Sequence, residues 1–282
     1  YWWLAAAAVT VLALVFGKII YTKQYPVLDS ASSAILITGC SSGIGKDCAL
    51  TLCKLYMVFA TVRKQSDADS LLKEATGTLI PVIADVAKPD QLEVAVKTVA
   101  AELQKRSLKL AALINNAGVN LEHNLLDDPN AEWPAPRDVI SRTLDVNVVG
   151  LLDTTKHFLP LLKEAKGRII NIGSYFGSFT PLKMTQIGYS ASKFAVEAIS
   201  DGLRRGLEDV AVILLKPGNI ATSMNPNHGE DSATIITDAI LTALKSSRPP
   251  TRMYVGRVKG MPMWFLCRLF AHGPDWLSDM LL

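Results

Sequence analysis

Short runs of aliphatic and β-branched residues recur along this chain with helical periods between them: Ala34–Thr38, Met57–Val62, Leu79–Ala84, Leu110–Asn115, Arg168–Ile172 and Val210–Leu215, with Arg252–Val255 as a seventh. Alternation of this kind implies a parallel sheet with helices on both faces, because each helix carries the chain back to the edge where the previous strand began. The runs are nearly continuous in Val, Ile, Leu and Ala, as strands covered on both sides require. The domain is expected to start near Ser33. With 282 residues, the chain has room for one α/β domain with a substantial core, and not for two beside an apolar segment.

That apolar segment is the first stretch of the chain. No charged residue occurs from Tyr1 to Gly17, and Ile19, Ile20 and Tyr21 extend the run past Lys18, whose stem can snorkel. Trp2, Trp3, Tyr21 and Tyr25 stand near its ends, where amphipathic rings favour a headgroup region. A secretory signal fits less well, since the run exceeds a typical h-region and has no small-x-small cleavage site. The expected organisation is a transmembrane anchor helix over residues 1–21, a linker over 22–32 and a catalytic domain over 33–282. The lipid bilayer is thus an expected partner and a single-pass membrane location is expected, with the endoplasmic reticulum favoured and the mitochondrial inner membrane as the alternative.

Composition excludes other classes. The 29 basic and 26 acidic residues leave a net charge of +3, too even a mixture to steer the protein onto nucleic acid, and no nucleic-acid partner is expected. Cys40, Cys48, Cys53 and Cys267 have neither CxxC spacing nor a companion histidine cluster, so no metal is expected and the thiols read as buried and reduced. His123 and His157 are isolated and are assigned no role.

Directly after the first strand comes Thr38-Gly39-Cys40-Ser41-Ser42-Gly43-Ile44-Gly45, followed by a helical stretch over Lys46–Leu55. Strand, glycine loop and helix in that order let the backbone turn tightly and offer free N–H groups and a partial positive charge to a pyrophosphate. The spacing is Gly-x3-Gly-x-Gly. Further on stand Asn115-Asn116-Ala117-Gly118 at the end of the fourth strand, Asn147 in a helix, Ser174 after the fifth strand, Tyr189-Ser190-Ala191-Ser192-Lys193, and Pro217-Gly218 followed by Thr222. In this order and over Thr38 to Thr222, the set resembles the short-chain dehydrogenase/reductase family. The resemblance implies a Rossmann-type doubly wound parallel sheet and a nicotinamide dinucleotide cofactor. It implies that Thr38, Gly39, Ser41, Ser42, Gly43, Ile44 and Gly45 line the dinucleotide, that Asp85 contacts the adenine with Val86 beside it, and that Asn115, Ala117 and Gly118 support the neighbouring loop. Pro217, Gly218, Ile220 and Thr222 complete the expected cofactor site, together with Tyr189 and Lys193. Cofactor choice rests on Arg63 at the end of the second strand: no acid is present there for a ribose 2′-OH, and a guanidinium suits a 2′-phosphate. NADP(H) is therefore favoured, with NAD(H) the alternative.

Removing a hydroxyl proton as a hydride leaves carbon requires a base matched to neutral pH, and a free tyrosine, with a pKa near ~10, is too weak an acid to serve unaided. Tyr189 and Lys193 are four apart in a helical stretch, one turn from each other on one face, so the ammonium is expected to stabilise the phenolate. Ser174 should emerge at the carboxyl edge of its strand, where ligands of open α/β sheets bind. By resemblance Ser174 holds the substrate oxygen, Lys193 holds the nicotinamide ribose, and Asn147 holds a water in a proton relay ending at the lysine. The expected activity is oxidoreduction between an alcohol and its carbonyl.

Three places depart from the family pattern. The helix after the glycine loop runs into the second strand through Lys54-Leu55-Tyr56-Met57 without a glycine, Ser174 and Tyr189 are separated by an enlarged loop over Tyr175–Gly188, and Arg205–Val210 shortens the link to the sixth strand. Asp127–Pro136, with three prolines, reads as a loop before a helix near Arg137. The tail from Met253 to Leu282 is rich in Met, Trp, Phe and Leu and is similar to the membrane-anchored retinol and hydroxysteroid dehydrogenase branch, which implies a lipophilic substrate; the tail could cap an apolar pocket, rest on a bilayer or pack as core. The competing reading is a nucleotide-binding accessory subunit of a membrane complex with little or no turnover, and the chain could act as a homodimer or within a membrane assembly.

Overall fold

A computed structural model of the chain describes residues 23–122, 135–180, 186–222, 224 and 229–272, with short pieces at 2–3, 6–7 and 9–12. The strands are β1 (Ser33–Ile37), β2 (Met57–Val62), β3 (Leu79–Ile83), β4 (Lys109–Asn115), β5 (Arg168–Ile172), β6 (Ala211–Pro217) and β7 (Arg252–Val255). Between them lie α1 (Gly43–Leu52), α2 (Gln65–Glu74), α3 (Pro89–Arg106), α4 (Arg137–Leu144), α5 (Gly150–Glu164), α6 (Ile187–Gly206) and α7 (Thr234–Lys245). A two-stranded antiparallel ribbon, β8 (Arg257–Val258) with β9 (Met261–Pro262), leads into α8 (Met263–His272).

The sheet runs in the order β3-β2-β1-β4-β5-β6-β7 with every pairing parallel. The order reverses between β1 and β4, which opens a crevice at the carboxyl ends of those strands. Alternation along each strand fills both faces. Ile35, Ile37, Val58, Ile170 and Ile213 pack with Leu52 of α1 and Ile236 and Ile240 of α7. Leu36, Phe59, Leu113, Ile169 and Val212 pack on the other face with Val99 of α3 and Phe158 and Leu162 of α5. This is the doubly wound sheet of the Rossmann type that the strand pattern predicts.

The missing glycine after α1 has a local solution. The helix ends at Leu52, earlier than the Lys46–Leu55 expectation, and both Leu55 and Tyr56 donate their N–H to the Leu52 carbonyl, at 3.0 and 2.9 Å. The glycine that the turn needs sits opposite, at Gly77: a Cβ there would lie 2.0 Å from the Cys53 carbonyl oxygen, which accepts the Thr78 N–H at 2.9 Å. β2 therefore keeps its place, and Arg63 follows its last residue.

The stretch before β1 is docked through Tyr25, Pro26 and Leu28. Arg168, fully buried at the start of β5, donates to the carbonyls of Pro26 and Ser246 at 2.8 Å each and also to that of Ala243. Tyr25 donates its N–H to Ser247, and Leu28 is buried in the core. Burial pulls the Arg168 guanidinium down to about 10. Tyr25, Pro26 and Leu28 are thus fastened to the amino edge of the sheet, opposite the crevice.

Among the described residues no helix is long and apolar enough to cross a membrane. The anchor expected over residues 1–21 falls for the most part on positions outside the described residues; the helical pieces at 2–3, 6–7 and 9–12 are exposed. Most of the proline-rich loop Asp127–Pro136 also lies outside them.

Candidate active site

The glycine loop is held in a shape that side chains would prevent. Gly39 has φ +72° and Gly43 φ +57°, in the left-handed region that Cβ disfavours. A Cβ on Gly39 would lie 2.8 Å from Ala117 Cα, and one on Gly45 would lie 2.3 Å from the Gly39 carbonyl oxygen. The loop is braced from β4: Thr38 Oγ1 accepts the N–H groups of Asn116 and Ala117 at 3.0 Å each, and Asn116 Nδ2 donates to the carbonyls of Thr38 and Gly39 at 2.9 and 3.1 Å. From β2, Thr61 takes the Gly39 N–H on its hydroxyl and the Cys40 N–H on its carbonyl.

Bracing of the loop falls to Asn116, where the sequence points to Asn115. Asn115 Nδ2 instead donates to Thr155 Oγ1 and Asn171 Oδ1, at 3.0 and 2.9 Å, tying β4 to α5 and β5. Thr38, Gly45 and Asn115 stand behind the cleft wall rather than in it.

In front of that wall is a cleft of about 710 Å³. Gly39, Ser41, Ser42, Gly43 and Ile44 line one side; Arg63, Asp85 and Val86 close one end; Ala117 and Gly118 lie between the two halves. Pro217, Gly218, Ile220 and Thr222 form the far rim. Asp85 is fixed by its own loop, since its N–H donates to Gln91 Oε1 and its carboxylate accepts the Ala87 N–H.

At the other end stand Ser174, Tyr189 and Lys193, all lining the same cleft. Ser174 follows β5, and its hydroxyl accepts the Phe176 N–H at 3.2 Å. Tyr189 is in the first turn of α6 and Lys193 a turn later, with Nζ 5.6 Å from the phenol ring centroid. Lys193 Nζ donates to the Ile172 carbonyl at 3.1 Å. Spacing alone predicts a phenol made more acidic by the ammonium; the protein groups do the reverse. Burial pushes the Tyr189 phenol up to about 12 against a smaller opposing effect of the Ser174 hydrogen bond, and burial lowers the Lys193 ammonium to about 8. Desolvation disfavours the charged form of both groups, which raises the phenol and lowers the ammonium.

Asn147 lies in a single π-helical turn, Asp145–Val149, between α4 and α5, where the extra residue per turn changes the helix phase locally. Its side chain pairs with the Val119 backbone, accepting the N–H at 2.8 Å and donating to the carbonyl at 2.9 Å, and also donates to Ser192 Oγ at 3.0 Å. Gly118 leaves a gap beside it: a Cβ there would lie 3.3 Å from Asn147 Oδ1 and 3.6 Å from Lys193 Nζ.

The opposite wall was not legible in the motifs. Tyr175 OH donates to Asn219 Oδ1 at 2.9 Å, and Asn219 Nδ2 donates to Glu230 Oε1 at 2.9 Å. Glu230 in turn accepts the N–H groups of Lys259 and Gly260, tying the β8–β9 turn to the cleft rim. Phe176 packs edge-on to the Tyr189 ring at 5.3 Å, and Phe179 meets Phe270 of α8 at 4.7 Å. The one available signal was the aromatic character of Tyr175-Phe176 directly after Ser174. α8 is divided, with Met263, Leu266 and Cys267 buried and Trp264 and Phe265 exposed by 53% and 43%. Cys40, Cys48, Cys53 and Cys267 are free and buried. His157 Nδ1 is hydrogen-bonded to the Asp153 carbonyl, away from the cleft, and His123 lies outside the described residues.

A seven-stranded parallel sheet with a glycine-loop cleft at its switch point defines a nucleotide-binding α/β protein of the Rossmann type. The profile of the short chain dehydrogenase family matches residues 33–233, and the chain belongs to that family. Among the relatives, it is 36% identical over 193 residues to mouse short-chain dehydrogenase/reductase family 9C member 7, covering 67% of this chain and 58% of that one. It is 36% identical to rat retinol dehydrogenase 7 over 67% of this chain and 57% of that one, and 36% identical to mouse estradiol 17-beta-dehydrogenase 2 over 72% and 52%. The chain thus spans little more than half the length of these relatives. A short chain dehydrogenase from Burkholderia cenocepacia J2315, solved in complex with NADP, shares the fold with a TM-score of 0.72 at 24% identity, over 90% of this chain and 99% of that one. A 3-oxoacyl-[acyl-carrier protein] reductase from Brucella melitensis, solved with NAD, gives 0.68 at 24% identity over 83% and 93%.

Proposed function

We propose that this chain is a nicotinamide-dependent oxidoreductase that interconverts a lipophilic alcohol and its carbonyl, with Tyr189 as the proton-transferring residue. The observation that carries the reading is the meeting of Ser174, Tyr189 and Lys193 on one cleft continuous with the glycine loop, with Lys193 Nζ 5.6 Å from the phenol ring centroid. The cradle fits a dinucleotide: Gly39 and Gly43 adopt backbone angles that side chains disfavour, a Cβ on Gly39 would lie 2.8 Å from Ala117 Cα, and the loop opens on the cleft. Gly39, Ser41, Ser42, Gly43 and Ile44 would hold the diphosphate, Asp85 and Val86 the adenine end, and Lys193 with Pro217 to Thr222 the nicotinamide end. Arg63 would pair with a 2′-phosphate, which supports NADP(H) over NAD(H).

When bound, the nicotinamide ring supplies the acceptor or donor of the hydride. The chain's own residues handle the proton. Ser174 Oγ positions the substrate oxygen against the phenol, so that in the reducing direction Tyr189 gives its proton to the developing alkoxide. In the oxidising direction the phenolate takes the hydroxyl proton, and Lys193 in its charged form steadies that anion. A phenol held up to about 12 by burial keeps its proton at neutral pH, which suits it to act as an acid. Asn147 supports this end by holding Val119 and Ser192 in place.

The aromatic wall of Tyr175, Phe176 and Phe179 supports a lipophilic substrate such as a retinoid, steroid or other lipid, in keeping with the retinol and estradiol dehydrogenases among the relatives. The uncharged run at the start of the chain supports a single-pass anchor. Intact Ser174, Tyr189 and Lys193 favour turnover over the accessory-subunit reading. The test is turnover by the purified protein of retinol and estradiol with NADP+ or NAD+, and of the corresponding carbonyls with the reduced cofactors. Dinucleotide binding without turnover of any of them would reverse the choice.

A further inference from the structure

Glu122 belongs to none of the motifs above. It stands four residues beyond Gly118, in the segment after β4, and is 1% exposed. Buried carboxylates are rare unless their oxygens are occupied, and here both are. Oε1 accepts the N–H of Gly188 at 3.1 Å, and Oε2 accepts the N–H of Tyr189 at 2.6 Å. These are free donors of the first turn of α6, a helix of 20 residues whose own cap leaves them unserved: Gln186 makes no side-chain capping bond, and the first turn contains no acid. The carboxylate thus meets the positive end of the helix from another part of the chain. Gly188 leaves the space for it, since a Cβ there would lie 3.1 and 3.2 Å from the two carboxylate oxygens.

We propose that Glu122 is the positioning residue for Tyr189, pinning the backbone from which the phenol reaches into the cleft beside Ser174. The proposal rests on the reading of Tyr189 as the proton-transferring residue. Tyr189 is then held through both of its backbone polar groups and its ring. Its N–H goes to Glu122, its carbonyl accepts from Ser192 Oγ at 2.6 Å and its ring lies against Phe176. Glu122 touches only the backbone of this turn, so it acts through placement of the phenol and not on the substrate.

The test uses Glu122→Ala, Glu122→Gln and Gly188→Ala in the whole chain, with three readouts. These are kcat and KM for whichever of retinol or estradiol the wild type turns over, the dinucleotide Kd, and amide hydrogen exchange across Gly188 and Tyr189. Glu122→Ala is expected to lower kcat by about 10- to 100-fold, the cost of a small misplacement of a reacting group, while Kd stays within about two-fold. Glu122→Gln keeps one acceptor oxygen and is expected to recover part of the loss. Gly188→Ala raises helix propensity but crowds the carboxylate, so it is expected to lower kcat without lowering Tm. In all three, exchange at the two amides should quicken. Unchanged exchange would overturn the proposal, as would quickened exchange with kcat within two-fold of wild type. Should Glu122→Ala fail to fold, Glu122→Gln and Gly188→Ala decide the matter by the same readouts. A wild type inert toward every substrate would defeat the oxidoreductase reading instead, and the exchange data would still settle whether Glu122 pins the turn.

Discussion

The wall of the cleft formed by the glycine loop and the wall formed by the segment after β5 are held by different kinds of interaction. On the first, backbone shape dominates: Gly39 and Gly43 take positive φ, Thr38 and Asn116 brace the turn through four hydrogen bonds, and Thr61 fastens it to β2. On the second, side chains dominate: Tyr175 reaches Asn219, Phe176 touches Tyr189, and Phe179 leans on Phe270 of α8. A wall made of backbone serves a ligand whose geometry does not vary. A wall of side chains contributed by a loop and the tail can change its shape by substitution, leaving the proton-handling groups where they are.

If the two walls are separable in this way, substitutions should divide cleanly between turnover and cofactor affinity. The largest effect is expected for Tyr189→Phe, which should lower kcat by about 10²- to 10⁴-fold, the usual contribution of a general acid or base, with dinucleotide Kd nearly unchanged. A comparable loss of affinity would erase the division. Next is the pH profile. With the phenol held up to about 12, its base form grows by about tenfold per pH unit, so kcat/KM for alcohol oxidation should climb from about pH 6 to 8 while carbonyl reduction stays level. The climb should flatten near 8, where half of the Lys193 ammonium has lost its proton. A level oxidation profile would move the essential ionisation to another group.

Smaller effects probe the glycine-loop wall. Arg63→Asp should raise the Kd for NADP(H) by about 10- to 100-fold, as loss of a charged hydrogen bond implies, and that for NAD(H) far less. Equal changes for the two would remove Arg63 from cofactor choice. The smallest is Thr38→Val, which takes the acceptor from two N–H groups behind the loop. Denaturant unfolding should register a loss of about 1–3 kcal/mol, with a correspondingly weaker dinucleotide complex and kcat little altered. A fall in kcat larger than the fall in affinity would show the walls to be coupled.

Much of the glycine-loop wall was legible in the chain. The strand runs at Met57–Val62 and Arg168–Ile172 coincide with β2 and β5, because a strand buried on both faces leaves a nearly unbroken apolar signature. Ser174, Tyr189 and Lys193 were legible because their spacing and their position after a strand already imply a shared edge. Asn115 and Asn116 were not separable, since neighbours at a strand end differ only in which way the pleat turns each side chain. The burial around Tyr189 is hidden for a related reason: spacing reveals the nearby ammonium but not the desolvation that pushes the phenol up. Glu122 carries no local mark at all, because its partners are 66 and 67 residues away.

What the order of residues determined by itself was the alternating pattern of the sheet, the glycine loop and the identity of the groups able to move a proton. These are properties of local spacing and covalent chemistry. What only the tertiary structure decided was which of two asparagines braces the loop, which carboxylate caps the helix bearing Tyr189, and whether the phenol is made more or less acidic. Each depends on burial and on contacts between segments far apart in the chain, and neither quantity is encoded at any single position.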